Sequence, residues 1–229
     1  DLGRRLRTLA RGPREVPQAV VAVRGAADLA RLLEAAAGTR DLEKSLVGLG
    51  DAGLAARVLA ARTGSLLCPV PPAGPAAGAG DPDPETLRGL YRFAAIGPGT
   101  PAYAVIGSPV MHSLSPAIHN RALAWLGIPG VYLPIPVDDL AAFMPAADLL
   151  GLTGLSVTVP HKEAVLPFLG ERDPVVDRVG ACNTLHRPDA RAAWRGTNTD
   201  AAGFLAPLLA AAGGKGIAGA RAAVIGAGG

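Results

Sequence analysis

Strand-like and helix-like segments alternate along most of this chain, and that alternation narrows the possible folds more than any single residue does. Residues 19–23, AVVAV, suit a buried strand, and the helical periodicity of ADLARLLEAAAG begins at Ala26 or Ala27 and closes at Gly38. SLVGLG (45–50) suits a second strand, and GLAARVLAART (53–63) a helix ended by Gly64. Such an order predicts parallel α/β structure.

Residues 69–84, PVPPAGPAAGAGDPDP, are too rich in proline and glycine for a core element and read as a loop or linker. Asp83 then caps a helix with Pro84 at its first position, and GPGTP (97–101) marks a boundary. From Tyr103 the alternation resumes: strand YAVIG, turn SPVMHSLSP, helix AIHNRALAWLG, strand VYLPIPV, and helix DLAAFMPAADLLG with Pro145 disturbing it. Strand LTGLSVTVP follows, then helix KEAVLPFL, a loop to GACNTL (180–185), a short strand near Trp194, turn GTNTD (196–200) and helix AAGFLAPLLAAAGG. The last ten residues, ARAAVIGAGG, read as a strand entering a glycine turn.

Composition excludes several classes. The chain of 229 residues is 49% hydrophobic and 18% charged, which favours a globular protein over a disordered one. Every apolar stretch is broken by charge, proline or glycine, so no membrane span is expected. A net charge of +3 with 4% aromatic residues lacks the sustained basic patch that nucleic-acid binding needs. Cys68 and Cys182 make no zinc spacing, and a reducing, cytoplasmic setting is expected. The chain starts at Asp1 with no secretory leader visible and stops inside the glycine turn, so a fragment of a longer protein is expected.

Four groups of residues carry chemistry. Gly226, Ala227, Gly228 and Gly229 follow an apolar strand, as in the turn that lets a backbone approach a dinucleotide pyrophosphate, and equally as in an ordinary strand-to-helix turn. In HSLSP, Ser113 and Ser115 put two hydroxyls beside one turn, where Ser115 also reads as a helix N-cap before Pro116. His112 and His119 have no acidic partner at metal-ligand spacing, so no metal is expected. Lys162 leaves the strand SVTVP where ligands of α/β proteins bind, although a lone lysine there is also a plain solvated charge. Thr158, Asn183, Asn198 and Asp200 supply amides, a hydroxyl and a carboxylate of the kind that hold a small polyhydroxylated ligand, and residues of these types also settle turns locally.

Taken in order, YAVIGSPVMHSLSPAIHN, LSVTVPHKE, GACNTL, GTNTDAAGF and AAVIGAGG resemble the shikimate dehydrogenase family over residues 101–229. The resemblance implies an α/β substrate-binding domain over 101–218 and the start of a Rossmann NADP domain over 219–229. It implies reduction of 3-dehydroshikimate to shikimate with NADP as cofactor. Ser113 and Ser115 would hold the substrate carboxylate, and Thr158, Asn183, Asp200 and Lys162 the ring hydroxyls. Lys162 and Asp200 would be the catalytic pair, and Gly226 to Gly229 would meet the cofactor. Ser156 stands where the family commonly has asparagine, and substrate binding is not carried onto it. A quinate-preferring dehydrogenase or a non-catalytic shikimate-binding relative is the alternative. The chain as given is expected to bind shikimate weakly and to transfer no hydride; nothing in it fixes an oligomeric state.

VVAVRGAADLARLLEAA, SLVGLGDAGLAARVLAARTGS and DPETLRGLYRF are similar to the closing elements of type I 3-dehydroquinate dehydratase, a TIM barrel with a Schiff-base lysine. That implies a partial barrel over 1–96, fused as in the plant-type bifunctional enzyme. Arg57 matches the family's substrate-binding arginine, with Ala56 replacing its serine neighbour. Counting back along the first strand, the Schiff-base position falls on Gln18, whose amide forms no imine, and the lid segment PAAGAGDPDP has no glutamine. An inactive dehydratase half is expected.

Overall fold

The computed structural model describes all residues except 11, 13, 14, 73–79, 214, 215, 224 and 226–229. Its N-terminal part contains α1 (Leu2–Leu9), β1 (Gln18–Ala22), α2 (Ala26–Ala37), β2 (Ser45–Leu49), α3 (Leu54–Val58), α4 (Ala60–Thr63) and α5 (Pro84–Gly89). Strands β1 and β2 pair in parallel with Gln18 opposite Ser45, and α2 makes the crossover, as the alternation predicts. A parallel bridge between Lys44 and Ser65 continues the progression beyond α4. Helix α5 begins as read: Asp83 accepts the Thr86 N–H at 2.7 Å, with Pro84 at the first position. The single helix expected over 53–63 is two, because Leu59 leaves helical geometry (φ −93°, ψ 32°).

The second part contains β3 (Ala102–Gly107), α6 (Ser115–Trp125), β4 (Val131–Pro136), α7 (Leu140–Leu149), β5 (Leu152–Val157), α8 (His161–Ala164), β6 (Leu169–Arg172), α9 (Pro174–Val179), β7 (Thr184–His186), β8 (Trp194–Thr197) and α10 (Asp200–Ala211). Its sheet has the order β4-β3-β5-β7-β8-β6. Pairings are parallel except on the two sides of β7, so β7 alone runs against the rest. Helix α7 runs through Pro145, held by a face that buries Leu140, Phe143, Met144, Ala146 and Ala147.

Several expectations fail locally. The loop expected before GACNTL contains β6 and α9; Asp173 accepts the Val176 N–H at 2.7 Å, Pro174 starts the helix, and Gly180 ends it with φ +74°. KEAVLPFL is four residues of α-helix followed by a 3₁₀ turn at Leu166–Phe168. Residues 220–223 carry no strand, since strand geometry is defined by pairing and no described strand lies beside them. The glycine turn at Gly226, Ala227, Gly228 and Gly229 lies outside the described residues.

The two faces of the larger sheet serve different purposes. Ala104, Ile106, Leu133, Ile135, Leu155 and Val157 project into a core shared with Leu29, Leu32 and Leu54, so burial joins the N-terminal part to the sheet. Helices α2 and α7 pack together, and α3 packs on β4. Polar ties reinforce this seam. Asp138 accepts the Ala26 N–H at 3.1 Å, Arg92 donates to the Gly130 carbonyl at 2.8 Å, and Arg62 donates to the carbonyls of Thr100, Leu150 and Gly151. The opposite face carries Tyr103, Val105 and Tyr132 under Val110 and Met111, with α6 across it. No described helix is long and apolar enough to cross a membrane.

Candidate active site

Strand direction brings the polar residues together. Ser113 and Ser115 follow β3, Thr158 and Lys162 follow β5, and Asp200 follows β8, so all leave the same carboxyl edge of the sheet. Asn183 precedes β7, and because β7 is antiparallel its start lies at that edge too. The six residues line one cleft of about 570 Å³, the position expected for a ligand site in this architecture.

The floor of the cleft requires close backbone approach. A Cβ on Gly107 would stand 2.5 Å from Thr158 Cγ2 and 2.9 Å from the Val159 carbonyl, so only glycine lets β3 pass the exit of β5. Thr158 N–H donates to Ile106 at 3.0 Å, and Ser108 N–H donates to Val159 at 3.0 Å, stitching the two exits. The Ser108–Pro109 and Val159–Pro160 peptides are both cis.

Residues 161 and 162 then diverge. His161 is buried and its Nε2 donates to the Val137 carbonyl at 2.7 Å, which commits it to the fold. Lys162 faces the cleft, and its Nζ donates to Asp200 Oδ2 at 2.8 Å. The pair keeps 31% and 52% of its side-chain surface, so a ligand can reach it. The other Asp200 oxygen accepts from Asn183 Nδ2 at 2.8 Å. Asn183 Nδ2 also donates to Thr199 Oγ1 at 2.8 Å, while Asn183 Oδ1 accepts from Thr199 N–H and Thr184 Oγ1, each at 3.0 Å. Asn183 therefore orients the acid as well as lining the cleft.

Ser115 does not cap α6 as expected. Leu114 holds the cap position, and Ser113 Oγ accepts the Ser115 N–H at 3.2 Å. The Ser115 hydroxyl makes no hydrogen bond among the described residues and lies in the cleft wall. Asn198 is structural: its Nδ2 donates to the Ala181 carbonyl, tying the approach to α10 to a neighbouring loop, and its Oδ1 accepts the Ala201 N–H in the first turn of that helix. His112, Ser156 and Thr199 also line the cleft. His112 and Thr199 sit inside the quoted HSLSP and GTNTD motifs, which was the available signal.

A second cavity, about 340 Å³, lies in the N-terminal part and is lined by Gln18, Arg57 and Asp81 among apolar side chains. Arg57 is 1% exposed, paired with Asp81, and donates to Pro69 at 3.0 Å. Gln18 donates to Ser45 Oγ at 3.2 Å. No lysine lines this cavity among the described residues. Nor does any described group of three or more His, Cys, Asp or Glu suit a metal.

Residues 105–185 match the family described as the shikimate dehydrogenase substrate binding domain. The chain is 50% identical over 111 residues to a shikimate dehydrogenase (NADP(+)) of Trichormus variabilis, covering 48% of this chain and 38% of that one. It is 36% identical over 183 residues to the chloroplastic bifunctional 3-dehydroquinate dehydratase/shikimate dehydrogenase of Arabidopsis thaliana, covering 80% of this chain and 30% of the relative. An alignment of 183 residues cannot fit within residues 101–229, so it runs into the N-terminal part. A solved shikimate dehydrogenase from Aquifex aeolicus is 35% identical, covers 48% of this chain and 42% of its own, and gives a TM-score of 0.45. The chain thus spans less than half the length of these relatives.

Proposed function

We propose that this chain forms the substrate-binding half of an NADP-dependent shikimate dehydrogenase that interconverts 3-dehydroshikimate and shikimate. The observation that carries the reading is the meeting of Ser113, Ser115, Thr158, Lys162, Asn183 and Asp200 in one cleft, with Lys162 bonded to Asp200 at 2.8 Å. The names of the relatives support the substrate and the cofactor.

The arrangement suits ketone reduction. Ser113 and Ser115 offer hydroxyl donors for the ligand carboxylate, and Thr158 and Asn183 flank the ring. As negative charge grows on the carbonyl oxygen, the Lys162 ammonium stabilises it and supplies a proton. Asp200, itself held by Asn183, aims the ammonium. Bound NADPH supplies the hydride; the proposed cofactor contacts are Gly226, Ala227, Gly228 and Gly229. Helix α10 has no buried residue, and Phe204 on it is 71% exposed, which supports a covering cofactor domain. The proposed organisation is a barrel remnant over 1–96, a substrate domain over 101–218 and a cofactor domain from 219, in a reducing cytoplasm that suits the free thiols.

The barrel remnant is read as derived from a type I 3-dehydroquinate dehydratase that has lost its activity. Parallel β1 and β2, with Gln18 and Arg57 lining one cavity, support that register, and the lack of a lysine among the described residues that line it supports the loss.

The test is NADP-dependent oxidation of shikimate by the protein that carries this chain, beside quinate and NAD, with Lys162→Ala as control. Activity abolished by that substitution upholds the reading. A folded protein that binds shikimate and turns over no pair is a binding relative instead.

A further inference from the structure

The exit of β5 is slung between two sides of the larger sheet. In the order β4-β3-β5-β7, β4 lies two places to one side of β5 and β7 lies next to it on the other. His161 Nε2 bonds the carbonyl of Val137, one residue past β4, at 2.7 Å. The Lys162 carbonyl accepts the N–H of Cys182, two residues before β7, at 2.8 Å. Two consecutive residues are therefore moored in opposite directions.

The direction of the histidine bond is fixed by its partner. A carbonyl oxygen only accepts, so Nε2 carries the hydrogen. His161 is 5% exposed, its own N–H donates to the Thr158 carbonyl at 2.9 Å, and its carbonyl accepts the Val165 N–H at 2.9 Å. The acceptor is no looser. Val137 is fully buried and donates its N–H to the Gly107 carbonyl at 3.0 Å, and the next residue, Asp138, accepts the Ala26 N–H at the start of α2. The anchorage of the β5 exit thus reaches into the N-terminal part.

Lys162 needs such an anchor. Helix α8 is four residues long with no side-chain cap, too short to hold its shape without tertiary bonds. The lysine stem is a flexible four-carbon chain, and Asp200 holds only its tip. Where that stem begins is decided by the backbone at residues 161 and 162.

We propose that His161 is a positioning residue for the reaction: by tying the start of α8 to the exit of β4, it sets the point from which Lys162 reaches the reacting oxygen. The proposal rests on the reading of Lys162 as proton donor. It distinguishes the bond from the volume, since a phenyl ring would fill the same space and leave the Val137 carbonyl without its donor.

The test is steady-state oxidation of shikimate by the protein that carries this chain, as wild type, His161→Phe, His161→Gln, Lys162→Ala and the double variant His161→Phe with Lys162→Ala, each with a thermal melt. His161→Phe is expected to lower kcat roughly 10- to 100-fold at nearly constant KM, up to the cost of an ångström of misplacement. His161→Gln, which keeps an N–H donor, should recover most of that loss. In the Lys162→Ala background His161→Phe should add nothing, because it acts through the lysine. Should His161→Phe not fold, glutamine against methionine, alike in length and without the donor, makes the same comparison. Where Lys162→Ala is slow, three results overturn the positioning role and spare the reading of the cleft: wild-type kcat in folded His161→Phe, an equal loss in the Lys162→Ala background, or a glutamine variant no better than the donor-free one. Wild-type turnover by Lys162→Ala overturns both.

Discussion

Lys162 Nζ donates to Asp200 Oδ2 at 2.8 Å, joining the exit of β5 to the first residue of α10 across 38 residues of sequence. Neither side chain is sealed from solvent, so the bond is a poor source of stability and a good means of aiming a cation. Lys162→Ala is expected to lower turnover by roughly a hundredfold or more, the range of a lost general acid, while KM for shikimate changes much less. Asp200→Asn should also slow turnover, and the double variant should be little slower than Lys162→Ala alone. Steady-state kinetics of the four proteins decide this; equal turnover by Lys162→Ala removes the lysine from the chemistry.

The Ser115 hydroxyl makes no hydrogen bond among the described residues, whereas Ser113 already accepts the Ser115 N–H at 3.2 Å. Ser115→Ala therefore probes the ligand alone. A carboxylate that loses one hydroxyl donor should bind more weakly by roughly 1.5–3 kcal/mol, seen as a higher KM at nearly constant kcat. A drop in kcat at constant KM would place Ser115 elsewhere in the reaction. Ser113→Ala should show the same direction with an added loss of melting temperature, since α6 loses support at its start.

The sequence disclosed what depends on neighbours in the chain and hid what depends on distant ones. Asp83 before Pro84 announced α5, and helix–strand alternation announced the parallel sheet. Asp173, Pro174 and Gly180 spell the same signal for α9, yet the stretch passed as loop because three of the four residues of β6 before it are exposed and show no apolar alternation. Lys162, Asn183 and Asp200 stood out individually, but their meeting needed β7 to run backwards, which three residues of strand cannot reveal. Ser156 with Tyr132, and Ala26 with Asp138, pair residues whose spacing carries no local signature.

Gly107→Ala tests whether the floor of the cleft is shaped by backbone contact. The new methyl would stand 2.5 Å from Thr158 Cγ2 and 2.9 Å from the Val159 carbonyl, closer than real Cβ atoms come. The carbonyl cannot withdraw without breaking its bond from Ser108 N–H at 3.0 Å, so Thr158 must move. Overpacking of this kind should cost about 1–3 kcal/mol in denaturant unfolding and weaken shikimate binding at the same time. Unchanged binding by a destabilised variant would show that Thr158 is not needed by the ligand.

Helix α2 has glycine in its cap position and no side-chain cap of its own; Asp138, from 112 residues away, accepts the Ala26 N–H at 3.1 Å. That bond, ahead of any other cause, holds the Asp138 carboxyl below the ordinary carboxylate range. A carboxyl depressed in the folded state stabilises fully above its unfolded pKa of about 4 and loses that contribution as pH falls through the lower folded value. Asp138→Ala should cost about 0.5–2 kcal/mol at neutral pH, toward the low end because the carboxylate is exposed. The gap between wild type and variant should narrow as urea unfolding is repeated from neutral pH to below about pH 4. A gap that holds constant across that range would mean that Asp138 acts by packing, and that the seam between α2 and α7 owes nothing to its charge.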